Sequence, residues 1–532
     1  MENKNTLIAI VLMLLVWIGF SIFFPPQAPP PRVEEPPAAL QEQAPVAGPV
    51  TAEVAPSLEI VPPALGAGSI LEVQTQTFRL EIDERSASIR RIELLQYGDT
   101  LAAESAGFVL VDTRDLGLGT LQLGGTDGLS GAGQPVYAFV DPPAGTLTLG
   151  PGESRDLVFR GEIAPGVLVE KILSLQGDSY QIPVAVRLIN RSAGPLSGNL
   201  SLTLVQPWDK AMAGTMYEFV GPSTFSGGKK RSDKVDDLAK QPALYTESIV
   251  WTGFEKKYFL NAIVPLEDSA ERARVDMVGS LVSNSLISPY RTLQSGEQAE
   301  WRFFAFFGPK DFDLLSGLGY HLSEAVDFGF FGFLARPLLH VLKFFYGFLH
   351  NYGLAIILLT VIIKILFWPL TQKSFTSMKE MQKLQPQMQK LREKYKNDKQ
   401  RMNMELMNLY KEHRVNPLGG CLPMLVQIPV FFALYKVLLV SIELRHAPFF
   451  LWITDLSAKD PYYITPVIMG ASMFIQQKMT PSNLDPVQAK IFLAMPLIFT
   501  VMFLNFPSGL VLYWLVNNIL TIGQQALIHR KA

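Results

Sequence analysis

Residues 353–370 read GLAIILLTVIIKILFWPL, a stretch whose one charged side chain is Lys364. A helix of this length reaches about 27 Å, close to the thickness of a bilayer core. A charge inside a span costs roughly 2.5–3.5 kcal/mol, so Lys364 marks either a polar cavity or a side chain that snorkels to the membrane surface. Thr360 and Trp368 share its helical face. The residues alone leave both interpretations open.

The segment that follows, residues 371–420, is basic and amphipathic. Residues 373–414 hold 11 Lys and Arg against 5 Asp and Glu, a net charge of +6. Apolar residues recur at helical spacing on both sides of a predicted turn at residues 396–398, which predicts a hairpin of two helices. Its methionines, among them Met378 and Met388, either pack these helices together or form an adaptable surface for apolar partners.

The cations of this hairpin also have two interpretations. They are either simply solvated, or they bind anionic lipid or ribosomal RNA. The cations that we single out are Lys390, Arg392, Lys394 and Lys396.

Towards the C-terminus, four more apolar segments predict further spans at residues 421–441, 462–478, 491–506 and 510–528. These segments carry the amides Gln427, Gln476, Gln477, Asn505, Asn517, Asn518, Gln524 and Gln525. A few amides can join helices by hydrogen bonds, whereas this many beside a lysine favour a wetted hollow in the bundle. No Asp or Glu occurs in the spans, which argues against a proton-coupled transporter with a carboxylate relay.

Towards the N-terminus, residues 68–327 have the pattern of an all-β domain. Segments such as 71–80 and 200–205 alternate apolar and polar residues, and Gly, Pro, Asn and Asp clusters separate them. Many short strands with turn signals predict a large β sandwich. Residues 328–350 then place Arg336, His340 and Lys343 among apolar residues, which predicts an amphipathic helix in a membrane interface.

The first 67 residues predict an anchor and a tether. Residues 6–24 are uncharged and lack a small-residue cleavage site, so we expect an uncleaved transmembrane anchor over residues 1–24. Residues 25–67 contain 12 prolines, which predict an extended spacer.

Charge distribution predicts the topology. Residues 1–320 carry a net charge of −12 and residues 321–532 a net charge of +10. The positive-inside rule places the basic hairpin, Lys4 and the tail 529–532 in the cytoplasm. We therefore expect a polytopic α-helical protein with spans at 1–24, 351–370 and four within 421–528. Both termini are then cytoplasmic, and the large domain lies in the periplasm of a bacterial inner membrane.

Enzyme chemistry finds no support in the sequence. One cysteine excludes an intramolecular disulfide, and the six histidines are scattered without an HExxH pair. The run Gly227-Gly228-Lys229-Lys230 lacks the Ser or Thr of a phosphate loop, and Ser508 fits a turn. We therefore expect no catalytic residue, metal or cofactor.

Motifs between residues 330 and 528 resemble those of the YidC/Oxa/Alb membrane protein insertases, and the anchor with the β domain resembles the Gram-negative YidC form. The matching motifs are Phe367-Trp-Pro-Leu-Thr371, Leu384-Gln-Pro386, Asn416-Pro-Leu-Gly-Gly-Cys-Leu-Pro423, Gln427-Ile-Pro429, Leu451-Trp-Ile-Thr-Asp-Leu456 and Phe506-Pro-Ser-Gly-Leu-Val-Leu-Tyr-Trp514. The resemblance implies a supersandwich-like periplasmic domain, a five-helix core, and a hydrophilic groove open to the cytoplasm and lipid but closed outside.

Carried over to this chain, the groove would be lined by Lys364, Thr360, Gln427, Gln477, Tyr513, Trp514 and Asn517. The best-known form of the family has arginine where this chain has Lys364, and many relatives have tyrosine where it has Trp514. Lysine keeps the charge but lacks the guanidinium fork, so it can attract a carboxylate without binding it in bidentate fashion.

The function that the resemblance implies is insertion and folding of inner-membrane proteins, alone or with the Sec translocon. The implied partners are nascent membrane proteins, the ribosome, the signal recognition particle with its receptor, and anionic lipids, with a monomer sufficient. A small-solute transporter or pore is the alternative from another class.

Overall fold

The computed structural model describes residues 69–530 apart from 103, 134–135, 144, 215–217, 397, 414–421 and 480–485. The predicted anchor and the proline-rich tether lie outside the described residues. The described part forms a β domain followed by a helical region.

The strands of the β domain are β1 (Ile70–Gln74), β2 (Phe78–Asp83), β3 (Ser88–Gly98), β4 (Gly107–Asp112), β5 (Gln122–Gly125), β6 (Ala138–Val140), β7 (Leu147–Thr148), β8 (Ser154–Ala164), β9 (Val167–Gln176), β10 (Gln181–Asn190), β11 (Leu196–Gly198), β12 (Leu200–Pro207), β13 (Gly221–Ser226), β14 (Lys229–Ser232), β15 (Ala243–Tyr245), β16 (Ile249–Glu255), β17 (Phe259–Leu266), β18 (Arg272–Val278), β19 (Leu281–Ile287), β20 (Arg291–Leu293) and β21 (Gln298–Pro309). Strands such as β1, β9 and β10 alternate buried with more exposed residues, as predicted for a half-buried sheet, whereas β12, β13 and β17 are buried on both faces.

Three larger sheets share one apolar core, which confirms the predicted sandwich. The largest has nine strands in the order β14-β13-β16-β17-β21-β10-β9-β8-β6. Two five-stranded sheets have the orders β4-β3-β2-β1-β7 and β15-β18-β19-β12-β5, and β11 pairs with β20. Except for the parallel β1–β7 pair, the described pairings are antiparallel.

The helices follow mainly after the β domain. They are α1 (Val235–Leu238), α2 (Phe312–Leu318), α3 (Gly332–Leu349), α4 (Tyr352–Leu366), α5 (Trp368–Lys383), α6 (Gln385–Lys394), α7 (Lys399–Glu412), α8 (Leu422–Val440), α9 (Ile464–Met479), α10 (Pro486–Phe503) and α11 (Ser508–Arg530).

The core of the β domain encloses a lysine. Lys171 lies on the inward-facing side of β9, fully buried, and its Nζ donates to the carbonyls of Ala87 and Leu121 at 2.5 Å each. Ala87 and Leu121 have φ values of 49° and 60°, so the ammonium joins two left-handed turns. Burial lowers the pKa of Lys171 to about 7.

We expect this lysine to make the stability of the β domain depend on pH. Because its folded pKa lies below the unfolded value of 10.5, the unfolded state binds more protons between the two values. The free energy of unfolding therefore falls progressively as the pH is lowered from 10.5 to about 7. Relative to Lys171→Met, the free energy of unfolding should gain about 2–3 kcal/mol from pH 7 to pH 9.

Urea titrations of residues 68–327 at several pH values, followed by tryptophan fluorescence, measure this difference. The exposed Lys210 gives a matched control, since Lys210→Met should leave the pH profile unchanged. Parallel profiles for the Lys171 variant and the unchanged domain would contradict the assignment.

The five predicted spans after the β domain coincide with α4, α8, α9, α10 and α11. By length and composition, the runs Tyr352–Lys383 and Ser508–Ile528 could cross a membrane, and Gln427–Val440 and Leu493–Phe503 are shorter apolar helices. The count of six spans stays a prediction.

The prediction of two helices for the hairpin is wrong in one respect. The first run divides at Leu384, between α5 and α6. Pro386 lies in the first turn of α6, where a missing N–H and a fixed φ are tolerated. The same proline prevents α5 from continuing through this point as an unbroken helix. The hairpin consists of α6 and α7, and α5 extends α4 towards it.

The predicted amphipathic helix, α3, has three distinct faces. Ala335, Leu339 and Leu342 are buried in the apolar core of the helical region. Lys343 pairs with Asp313 at the end of the β domain, 2.6 Å from Nζ, and with Glu443 just after α8, 3.0 Å from Nζ. A third face exposes Phe333, Phe344 and Phe348. Such a helix can lie flat between a membrane and a soluble domain.

A second contact joins the β domain to the helical region. Arg445, in the loop after α8, donates from Nη2 to the carbonyl of Gly98 at 2.7 Å. Its guanidinium lies 5.5 Å from the ring centroids of Phe108 and Phe259, within cation–π range. Lys436 of α8 also pairs with Asp327 at 3.4 Å. The two regions are therefore docked through several charged side chains.

Candidate functional site

A polar stripe runs along α11. Asn517, Asn518, Thr521, Gln524 and Gln525 recur at intervals of three and four residues, which places them on one side of the helix. All five are buried or half-buried. Because α11 contacts α4, α5, α8 and α9, this stripe faces the neighbouring helices.

Lys364 of α4 reaches this stripe. Its side chain is 7% exposed, and Nζ donates to Thr521 Oγ1 at 2.7 Å. The Thr521 hydroxyl in turn donates to the carbonyl of Asn517 at 2.6 Å, which leaves its lone pairs for the ammonium. Within the described part of the chain, Lys364 forms no ion pair with a carboxylate. The bundle therefore holds a cation whose described partner is a neutral hydroxyl.

Further hydrogen bonds join α11 to α5, α8 and α9. Gln427 Nε2 of α8 donates to Asn517 Oδ1 at 3.2 Å. Gln524 Nε2 donates to Thr371 Oγ1 of α5 at 2.7 Å. Asn518 Nδ2 donates to Ser472 Oγ of α9 at 3.1 Å. We call Lys364, Thr371, Gln427, Ser472 and the five stripe residues of α11 the polar layer.

The polar layer lies far from the end of the bundle where α4 and α11 begin. Lys364 is 12 residues from the start of α4, or about 18 Å along the helix. Thr521 is 13 residues from the start of α11, or about 20 Å. The two residues are thus at similar depth, which is why their side chains meet.

Aromatic side chains fill the bundle between the polar layer and that end. Trp514 lies 4.8 Å from Phe431 and 5.3 Å from Phe503, measured between ring centroids. Tyr513 is 2% exposed and stacks on Phe431 at 6.3 Å. We call these four residues the aromatic layer. Apolar packing therefore begins where the polar layer ends.

The structure brings together some of the predicted groove residues and not others. Lys364, Gln427 and Asn517 belong to one hydrogen-bonded network, through Thr521. Thr360 is buried beside them, but its hydroxyl donates to the carbonyl of Ile356 in its own helix at 2.6 Å. Tyr513 and Trp514 belong to the aromatic layer, and Tyr513 also contacts Gln427 of the network through a side-chain hydrogen bond. Gln477 is half-buried on α9.

Three hydroxyl residues of the polar layer, Thr371, Ser472 and Thr521, were not predicted from the sequence. Thr521 stands four residues after Asn517 and three before Gln524, so it completes their helical stripe. Counting every polar residue on that helical face, rather than amides alone, would have found it.

The hairpin has a small core of its own. Leu384, Met388 and Leu409 are buried there, and the hydroxyl of Tyr410 lies 3.7 Å from the sulfur of Met388. Met388 thus packs the two helices of the hairpin together, which was one of the two interpretations of its methionines. Met378 of α5 is half-buried.

The outer surface of the hairpin is basic and partly apolar. Met404 and Met407 are 62% and 52% exposed. The four cations singled out from the sequence are all exposed: Lys390, Arg392, Lys394 and Lys396. The hairpin therefore exposes cations on and just after α6 and apolar methionines on α7.

Residues that could suggest enzyme chemistry have structural roles. Gly227 and Gly228 have φ values of 58° and 74° and form the turn between β13 and β14. Ser508 starts α11, and its hydroxyl donates to the carbonyl of Ala458 at 2.8 Å. Among the described residues, no group of three or more His, Cys, Asp or Glu could hold a metal ion.

Comparisons with known proteins give consistent matches over both regions. The family model described as "60Kd inner membrane protein" matches residues 344–532, and the one described as "YidC periplasmic domain" matches residues 70–341. A protein of Geotalea daltonii named "Membrane protein insertase YidC" is 45% identical over 531 residues, which covers 99% of each chain.

A second relative and a solved structure are also described as YidC insertases. A protein of Geobacter sulfurreducens with the same name is 46% identical over 531 residues, covering 99% of this chain and 98% of its own. A solved structure described as "Active YidC insertase crystal structure with the first transmembrane domain resolved" is 18% identical, with a TM-score of 0.37. The match covers 86% of this chain and 92% of that one.

Proposed function

The chain belongs to the YidC family of membrane protein insertases, and we propose that it inserts its substrates along the polar layer. It is an inner-membrane protein with a periplasmic β domain, and membrane proteins are its substrates. Insertion makes and breaks no covalent bond, so the chain is not an enzyme. The finer features of the mechanism rest on the geometry of the bundle.

The observation that carries the proposal is the bond between Lys364 and Thr521. It holds a cation inside a membrane bundle at the centre of a polar network. On the same helix, Ile365 and Leu366 are 63% and 71% exposed, so the other face of α4 can contact lipid. A substrate that touches the polar layer with a hydrophilic tail can therefore keep its apolar segment against lipid.

We propose the following sequence of events. The hairpin receives the substrate, and the hydrophilic tail enters the polar layer, where Lys364 attracts its acidic groups. The aromatic layer, which includes Phe431 and Trp514, separates this region from the periplasm. The apolar segment then partitions into lipid, which is worth about 25 cal/mol per Å² of apolar surface.

The proposed topology has six spans with both termini and the hairpin in the cytoplasm. The positive-inside rule and the positions of α4, α8, α9, α10 and α11 support it. The proposed units are the anchor 1–24, linker 25–67, β domain 68–327, interfacial helix 328–350, span 351–370, cytoplasmic segment 371–420 with the hairpin, spans within 421–528 and tail 529–532.

The proposed partners follow from the exposed cations of the hairpin. Such a surface suits the ribosome, the signal recognition particle with its receptor, and anionic lipid headgroups. We also propose that the chain acts as a monomer, either alone or beside the Sec translocon.

Reconstitution tests the proposal against a small-solute pore. We expect vesicles that contain the purified chain as their one protein to insert a small membrane protein, and to leak small polar solutes no faster than empty vesicles. Rapid solute flux without insertion would favour the pore and overturn the proposal.

We expect the β domain to be separable from insertion. Deleting residues 68–300 while keeping 311–350 retains Lys343 with Asp313 and Glu443, so α3 keeps its ion pairs. The deletion variant should retain at least about half of the insertion activity, measured in vesicles at matched protein amounts. Extending the deletion to residue 350 is the control and should abolish insertion. A stable shorter deletion that fails to insert would contradict this expectation.

A further inference from the structure

The loop between α8 and α9 carries an exposed apolar tip. Leu451 is 85% exposed and Phe450 is 53% exposed. Leu451 also has a φ of 56°, a left-handed conformation that suits Gly or Asn far better than leucine. A leucine here is unfavourable for the backbone and for solvation in water, which indicates that its side chain has a role.

The tip is held in a defined conformation. Phe449 N donates to the carbonyl of Ile453 at 2.9 Å, and Ile453 N donates to that of Phe450 at 3.2 Å. Further along the loop, Asp455 Oδ1 accepts from the backbone N–H groups of His446 and Ser457. The exposure of Leu451 is therefore built into the loop.

Contacts with the first residues of α4 fix the position of the tip. Asn351 Nδ2 donates to the carbonyl of Phe449 at 3.1 Å, and Asn351 Oδ1 caps α4 at Leu354 N. Phe449 packs directly on Gly353, where an added Cβ would lie 2.0 Å from its ring. The tip thus lies where α3 ends and α4 begins.

Further exposed apolar side chains lie on α3, shortly before Asn351 in the chain. Phe344 and Phe348, on the exposed face of α3, precede Asn351 by seven and three residues and are 61% and 68% exposed. Residues 447–454 read APFFLWIT and contain no charge. Apolar surface without charge, at the level where a span starts, matches the acyl region of a bilayer rather than a charged partner protein.

We propose that Phe450 and Leu451 form a wedge that inserts into the acyl region of the leaflet facing the β domain, with lipid as the partner. This inference rests on the proposed arrangement of the spans. The loop also binds the start of α11, through Ser508 N to Ala458 O and Gly509 N to Leu456 O. The wedge therefore holds α11, and with it the polar layer, at a set depth in the bilayer.

Site-specific fluorescence in vesicles tests the wedge. Cys421 is the single cysteine, so a Cys421→Ser background allows one label at Leu451→Cys in the full chain. The matched control is Val278→Cys, which is 66% exposed at the end of β18. We expect spin-labelled lipid to quench the label at 451 several-fold more than at 278, and aqueous iodide on both sides to show the reverse order.

A second variant addresses the leucine itself. Leu451→Gly removes the side chain and relieves the left-handed backbone, so it should fold. It should reduce lipid quenching of a label at Phe450→Cys at least about twofold. Equal iodide quenching at 451 and 278, or unchanged lipid quenching at 450, would overturn the proposal. Insertion activity of the same vesicles is measured separately, so loss of the wedge with normal insertion leaves the proposed function standing.

Discussion

Lys364→Glu should lower the insertion of substrates with acidic leading tails about tenfold or more, whereas Lys364→Arg should retain most of it. At roughly 10 Å and an effective dielectric constant near 20, a pair of unit charges interacts by about 1.7 kcal/mol. Reversing the sign doubles that difference, and each 1.4 kcal/mol is about tenfold in an equilibrium. Arginine keeps the charge beside Thr521.

Insertion rates in vesicles measure this effect, with a substrate whose tail is neutral as the control. Lys364→Glu should slow the neutral substrate much less than the acidic one. Thr521→Val provides a second comparison, because it removes the acceptor of the ammonium but leaves the charge. It should affect both substrates alike. Equal activity of Lys364→Glu and Lys364→Arg on acidic tails would rule out the electrostatic role.

Replacing Lys390, Arg392, Lys394 and Lys396 together with glutamate should weaken ribosome association about tenfold or more at low salt. The change shifts the charge of residues 373–414 from +6 to −2. Binding through phosphates depends steeply on salt, so the difference from the unchanged chain should shrink as salt is raised.

The four substitutions should leave the hairpin folded. All four side chains are exposed, and surface charges contribute about 0–1 kcal/mol each to stability. The buried side chains of Leu384, Met388 and Leu409 are untouched. Cosedimentation of the solubilised protein with ribosomes or anionic vesicles measures binding, and the matching glutamine variant should have an intermediate effect. Unchanged binding at low salt with normal insertion would mean that the hairpin is purely structural.

Local patterns were enough to place most elements. The uncharged run around Lys364 predicted α4, and the alternation in residues such as 71–80, which the structure also shows, predicted strands of the sandwich. These signals come from solvent and lipid acting on neighbouring residues, so a short window of sequence contains them.

Contacts between distant residues could not be predicted in this way. Arg445 binds the carbonyl of Gly98, 347 residues away, and no local pattern in either segment predicts that contact. The partner of Lys364 could not be predicted either, because the sequence offers many amides in the spans and Thr521 is a single hydroxyl among them. The division at Leu384 depended on Pro386, whose effect on a helix is readable but was outweighed by the amphipathic pattern.

If substrate tails pass along the polar layer, photocrosslinking should capture them there. A photoreactive residue is placed singly at positions 360–368 of α4 and 517–521 of α11, and a nascent membrane protein is captured during insertion. We expect adducts with the hydrophilic tail at Thr360, Asn517 and Thr521, and not at Ile519, which is 54% exposed on the opposite face of α11. Tail adducts at Ile519 with none at Asn517 and Thr521 would contradict this expectation.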